Sequence, residues 1–509
     1  MPVKPDCDTI IPHTWEAPMT NRRLMPALTV PVILAATLSL AADFDSSFDD
    51  ATLRVDFYQV GAAESEEVVL DRLLRQGPWA GPTQGLAEPD PVGRTVARLV
   101  DPETGAILVE TAFDSLFGEY RATTPAAAGV VRAFHESVLL PFPVRDVRLS
   151  LSSRDETGGE ELLLETDIDP GAVEIAAEAP AADALVIEEL ISGPVQTSLD
   201  IAFVGEGYTA DQLDLFRSDL SRFAALLLEQ QPYASARDLI NVRGVVVPSP
   251  DPGCDEPTRG RWRRTAVGAS FNALGSPRYL LPTDNRALRE IAANVPYDTL
   301  IVMVNHDRYG GGGIAGRYCT FTAHGPFAGY LLLHELGHSF GGLADEYYTS
   351  STATTDLHSP ELEPAEPNIT AHPDRDQIKW AALVDPTTPL PTPWDKVRFD
   401  AEDFAYQVER RALDEAIAQA ARRGALAVEL EILEAAAERH ALRRAAAVDA
   451  FMNASGLLGT VGAFEGAGYV AEGLYRPTID CLMFSRGVKA LCPVCRGAVA
   501  ARIKRATGR

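Results

Sequence analysis

His334-Glu335-Leu336-Gly337-His338, preceded by Phe327-Ala328-Gly329-Tyr330-Leu331-Leu332-Leu333, decides how the rest of this chain is read. The apolar run before the first histidine suits a helix buried in a core and not one lying on a surface. On a helix, residues four apart sit about 40° apart around the axis, so both imidazoles project from one face. Two neutral imidazoles at that spacing can hold one Zn²⁺ and leave positions for a third ligand and a water. Glu335, on the same turn, is placed to take the proton from that water. Downstream, Gly341 falls where the helix would stop and the chain turn sharply, since glycine tolerates positive φ. That turn returns a following side chain toward the metal. Asp345 is the expected third ligand and Glu346 the alternative, with a role for Asp345 in orienting an imidazole as the competing reading.

His334 to Tyr347 (HELGHSFGGLADEY) resembles the signature of the IgA-peptidase-like family of secreted bacterial zinc metallopeptidases, which are metzincin-like. The likeness runs from about residue 50 to 500. It includes Phe203-Val204-Gly205-Glu206-Gly207-Tyr208-Thr209, Val245-Val246-Val247-Pro248-Ser249-Pro250-Asp251, Val304-Asn305 with the glycines at 310–313, and Gly462 to Tyr469 followed by Gly473-Leu474-Tyr475-Arg476-Pro477. One departure stands out. Metzincins place the third ligand three residues after the glycine matching Gly341, and that position here is Ala344, with the acidic pair one and two residues later. The resemblance also implies a methionine turn beneath the metal, for which Cys481-Leu482-Met483-Phe484 is the matching segment; Met483 would be a polarizable floor, not a ligand. It further implies that a sheet edge near the glycine run pairs with an extended peptide substrate.

The reading that follows is an α+β enzyme hydrolysing peptide bonds with Zn²⁺ as cofactor. Tyr469 and Tyr475 are the candidate donors to the oxyanion, which needs one besides the metal. Two other readings compete. One is a zinc amidohydrolase acting on cell-wall peptides, and the other is a catalytically inert extracellular binding protein. The second would be supported by loss of Glu335 or a histidine, and none is missing.

Working outward, residues 42–190 hold short alternating runs such as Leu53-Arg54-Val55-Asp56-Phe57-Tyr58, separated by turn residues, which predicts an antiparallel β-sandwich. Residues 196–509 form the catalytic region. There, runs at 199–204, 242–247 and 299–304 predict buried strands, and residues 209–231 an amphipathic helix. The glycines at 310–313 lack the Lys-Ser/Thr of a phosphate loop and predict a flexible flap at the cleft rim. Residues 351–400 read as an irregular loop. Residues 401–452 read as a helical insertion divided at Gly424, its stripes Phe404/Val408, Leu413/Ile417 and Leu426/Leu430/Leu433 packing on the body or on each other. His440 is expected to be solvated, and His324 to be a rim residue or a satisfied polar group.

The chain of 509 residues is 46% apolar and carries a formal charge of −27, which disfavours nucleic acid or anionic membrane as a partner but specifies no substrate; the protein or peptide substrate is expected from the motif. Residues 1–41 read as leader and signal peptide: Arg22-Arg23, an uncharged apolar run from Leu24 to Leu40, then Ser39-Leu40-Ala41 at the cleavage site. Translation is expected to begin at Met19, no stable membrane anchor is expected, and the mature protein is placed outside the cell or in the periplasm. Beyond Cys7, five cysteines remain, an odd number. Cys481, Cys492 and Cys495 read as a disulfide set or a second metal site, and spacing leaves both open.

Overall fold

The computed structural model describes residues 44–179, 181–349 and 358–509. The segment expected to be a signal peptide, Met19 and Cys7 lie outside the described residues. Among the described residues no helix is long and apolar enough to cross a membrane. The architecture is mixed α and β, with several sheets.

Two four-stranded sheets make up the N-terminal region. One orders Arg132–Pro143, Phe48–Ala62, Ser65–Gln76 and Ala176–Ala177; the other orders Ile107–Phe113, Thr95–Val100, Val147–Arg154 and Glu160–Ile168. All pairings are antiparallel except the short one between Ser65–Gln76 and Ala176–Ala177. Alternation sends Leu53, Val55 and Phe57 to one face, where they join Leu99, Leu140, Leu149 and Leu151 in a single apolar cluster contributed by both sheets. The opposite face of the first sheet is buried as well. Arg54 and Asp56 are fully enclosed, and Arg54 and Arg72 each donate to Asp56 at 2.8 Å. Burial works against the Asp56 carboxylate, but these guanidinium groups outweigh it and hold its pKa at about 2. Helix Asn285–Ala292 covers that face, with Asn285 donating to Ser137 Oγ at 2.9 Å.

The second part is built on a six-stranded sheet. Its order is Gly311–Ile314, Tyr318–Thr322, Thr299–Val304, Leu199–Glu206, Ile240–Val246 and Leu185–Leu190. The four inner strands run parallel and the two outermost are antiparallel to their neighbours. Parallel strands covered on both faces need continuous apolar sequence, which is why 199–204, 242–247 and 299–304 lack a polar period. Ile201 and Phe203 face helices Leu213–Glu229 and Ala328–Ser339, while Ala202 and Val204 face helix Asn285–Ala292. Nine of the twelve residues in Ala328–Ser339 are buried, so this helix lies in the core and only part of one face reaches solvent.

Two long helices, Lys396–Arg422 and Ala427–Ala454, follow the 358–395 loop, with Gly424 at φ +69° between them. Their packing departs from the sequence expectation. Phe404 is 68% exposed and Val408 also faces solvent, while Ala437, Ala441, Val448 and Phe451 are the residues turned to the body. His440 is not solvated; it is buried and stacks on Tyr406 with ring centroids 4.6 Å apart. His324 is a satisfied polar group, its Nε2 2.7 Å from Asp219, which Tyr208 and Arg222 also bond. The chain ends in hairpin Phe464–Ala467/Val470–Arg476, the turn at 481–484 and helix Pro493–Ala506, from which Arg502 reaches back to Asp90 at 2.9 Å.

Candidate active site

Helix Ala328–Ser339 presents His334, Glu335 and His338 toward a cleft, and each imidazole is fixed from behind by a main-chain carbonyl. His338 Nδ1 lies 2.6 Å from Leu343 O, and His334 Nδ1 lies 3.3 Å from Leu482 O. A carbonyl only accepts, so His338 Nδ1 carries hydrogen; His334 Nδ1 lies 3.3 Å from both Leu482 O and the Tyr330 hydroxyl, and in both rings Nε2 is the atom turned to the cleft. Those two Nε2 atoms are 3.2 Å apart. Asp345 Oδ1 completes a triangle, 3.1 Å from His334 Nε2 and 3.2 Å from His338 Nε2.

The turn that returns Asp345 differs in detail from the expectation. Gly342 and not Gly341 takes positive φ, at +61°. Gly341 is needed for another reason: a Cβ there would stand 2.6 Å from Gly337 O. After Gly342 the chain is extended, so side chains alternate. Asp345 and Tyr347 face the cleft, whereas Glu346 and Tyr348 are turned into the interior. Glu346 therefore does not meet the imidazoles; its Oε1 lies 3.0 Å from Cys495 Sγ. Asn368 clamps this segment, accepting from Ala344 N at 2.8 Å and donating to Ala344 O at 2.9 Å. It sits in the irregular loop, where no local pattern singled it out.

Tyr469 donates to Asp345 Oδ2, and its hydroxyl is 3.1 Å from that of Tyr347. It occupies a two-residue hairpin turn in which Gly468 has φ +56° and Tyr469 φ +66°. Positive φ at both centres is what a type I′ turn demands, and a bulky side chain there costs on the order of 1 kcal/mol or more. The turn is docked by backbone bonds from Gly468 N to Asp345 O (2.9 Å) and Tyr469 N to Tyr347 O (3.1 Å). Tyr475, the other phenol picked from the sequence, does not line the cleft; its backbone pairs with Thr370. Met483 is fully buried under the helix, and a Cβ on Gly337 would come within 2.7 Å of its sulfur. Cys481, Cys492 and Cys495 are buried together, away from the cleft.

The glycines at 310–313 are not a flap. Gly311–Ile314 is a paired strand at the edge of the six-stranded sheet, lying directly on the helix. A Cβ on Gly313 would fall 2.4 Å from Glu335 O, and one on Gly311 3.0 Å from Glu335 Oε1. Absence of side chains lets strand and helix approach this closely. The cleft, about 400 Å³, is lined opposite by Arg94, Asp114 and Glu119 of the N-terminal region. Burial raises Asp114 to about 6 and Glu119 to about 7, the latter helped by the Asp114 charge. Glu335 is also raised by burial, against the pull of His334 and His338. Burial disfavours a charged His338, yet the adjoining Asp345 carboxylate pushes it up to about 9. Asp345 is held far below the usual carboxylate range by the imidazoles, despite its own burial.

Comparison with curated proteins returns no match. The family described as Peptidase M64 N-terminus matches residues 43–164, and that described as IgA Peptidase M64 matches residues 187–503, more than half of the chain. The chain belongs to the IgA Peptidase M64 family of metallopeptidases.

Proposed function

We propose that this metallopeptidase is a secreted zinc endopeptidase whose metal is held by His334, His338 and Asp345. The observation that carries the reading is the triangle of two Nε2 atoms and Asp345 Oδ1, with edges of 3.1–3.2 Å. Tetrahedral zinc with ligands at about 2.0–2.1 Å needs donor atoms about 3.3 Å apart, and this donor set fits. Asp345 Oδ1 is buried, and among the described residues its polar neighbours are the two Nε2 atoms, as suits an oxygen that shares a cation with them. The metal supplies Lewis acidity, lowering the pKa of a water and polarising the scissile carbonyl.

The remaining steps belong to the chain's own residues. Glu335, at the cleft face of the helix, accepts the proton of the attacking water and passes it to the leaving amine. Leu343 O keeps the His338 imidazole in the tautomer that offers Nε2. Tyr469 holds Asp345 in place through its one O–H, and it serves the tetrahedral oxyanion by turning that hydrogen away from Asp345 Oδ2 as negative charge develops. The main-chain groups of Gly311 are taken by Arg278 and Leu280, so an extended peptide would pair with the rest of the edge strand Gly311–Ile314. The two sheets of the N-terminal region read as a β-sandwich and the second part as metzincin-like. Residues 1–41 serve export, so exported protein should begin at Ala42 by intact mass; a retained Leu24 to Leu40 would mean an anchor.

Glu335→Ala tests the mechanism. It should lower peptide hydrolysis by about 10²–10⁴-fold while zinc content stays unchanged. Undiminished turnover would remove Glu335 as the base, and cleavage of cell-wall fragments but not of proteins by the wild type would replace the substrate class.

A further inference from the structure

The three cysteines and Glu346 form a second donor set on the far side of the segment that carries Asp345. Glu346, Cys481, Cys492 and Cys495 are all buried, and one ligand atom from each lies within 4.8 Å of the others. They come from three separate places: the extended stretch after Gly342, the turn holding Met483, and the start of helix Pro493–Ala506. No disulfide joins them; Cys481 Sγ and Cys495 Sγ are 3.9 Å apart.

Two features separate this cluster from ordinary core thiols. Backbone N–H groups point at the sulfurs: Cys492 N is 3.3 Å from Cys481 Sγ, and Cys495 N is 3.4 Å from Cys492 Sγ. These donors, with the N-terminus of a 14-residue helix at Cys492, favour negative charge on sulfur. Independently, Glu346 Oε2 is buried and unpartnered, on a residue with 0% exposure. Its other oxygen has only the Asn368 amide at 3.1 Å and the Cys495 thiol at 3.0 Å. Among the described residues no cation lies within ion-pair distance of Glu346, the Arg476 guanidinium acting on it from farther off, so a cation in contact is what the carboxylate lacks.

We infer that Glu346, Cys481, Cys492 and Cys495 bind a second, structural zinc ion. Three sulfurs and one oxygen select a borderline-soft tetrahedral ion over calcium or magnesium, and four protein donors leave no open position. Loading is proton exchange without change of oxidation state: each thiol releases its proton to solvent as its sulfur takes up the cation. The ion acts as a staple. Glu346 N already donates to Met483 O at 2.9 Å, and the zinc ties the same two segments to the C-terminal helix. It fixes the backbone from which Asp345 projects the other way. A redox pair is the poorer reading, because Cys492 and Cys495 are 6% and 0% exposed.

The test uses the full chain with the cleft ligands removed. His334→Ala/His338→Ala should retain one zinc per chain where the wild type holds two. Reloaded with Co²⁺, it should show the near-ultraviolet sulfur-to-cobalt charge-transfer band that an imidazole–carboxylate site cannot give. Glu346→Gln, which preserves shape, should release its metal to a chelator about 10–100-fold faster. A metal-free double-histidine variant, a cobalt spectrum without the sulfur band, or a disulfide between any two of the three cysteines by alkylation and mass would each overturn the inference. A wild type with one zinc that survives the histidine substitutions would leave it standing and remove the cleft zinc instead.

Discussion

Asp345 and Glu346 are adjacent carboxylic acids, both buried, yet they face opposite environments. Asp345 meets two imidazoles at the wall of an open cleft; Glu346 meets three sulfurs in a closed interior. The cause is the extended backbone after Gly342, which sends consecutive side chains to opposite faces. The order of acids in this motif, and not their number, decides which one faces the cleft and which one the interior. A one-residue slip would exchange them.

The comparison breaks most sharply at the ligands themselves. Asp345→Ala should weaken cleft metal binding by at least about 100-fold, whereas Glu346→Ala should leave it within a few-fold and lower thermal stability instead. Cobalt binding, with the sulfur charge-transfer band separating the interior site from the cleft site, and melting temperature measured on both variants decide it, and the reverse order would assign the cleft to Glu346. Tyr469→Phe keeps the ring and removes the bond to Asp345 Oδ2. It should reduce kcat about 10–100-fold with the fold intact, and an unchanged kcat would make the phenol mere packing. Gly313→Ala forces a methyl toward Glu335 O and should cost about 1–3 kcal/mol by denaturant unfolding, with activity falling in step.

Glu256 supplies the control, a buried carboxylate matched by cations. Burial works to raise its pKa, but His306, Arg259 and Arg308 outweigh it and hold it at about 2. A depressed carboxylate contributes stability that is present above its unfolded value and lost as pH falls through the folded one. Glu256→Gln should therefore lose about 2–3 kcal/mol of stability at pH 7 relative to wild type and none near pH 2, read from urea unfolding across that range. A variant with the same acid limb as wild type would show that the cations do not hold this charge.

The helix, its two histidines and Asp345 were legible because they rest on local spacing and one short turn. The buried strands were legible because full burial erases a polar period. What escaped depends on contacts distant in sequence. Asn368 lies 24 residues beyond Ala344 and bonds it only because the loop folds back. Glu346 as a partner for cysteines about 140 residues away carries no local mark, and neither do Asp114 and Glu119 as a cleft wall. The glycines at 310–313 misled for a different reason. Freedom of φ and permission for close approach leave the same letter in the sequence, and here close approach is what the fold uses. The exposed Phe404 stripe followed helical period correctly, but period does not say which side meets the body.

Gly311–Ile314 has one more consequence. A strand nearly bare of side chains can recognise a substrate's backbone but cannot tell one residue from the next. On the proposed role of this strand, choice among sequences would fall to Arg94, Asp114 and Glu119, which line the same cleft from a different part of the chain. Reactivity and preference would then be written on separate pieces of the gene, and redesigning the second need not disturb the first.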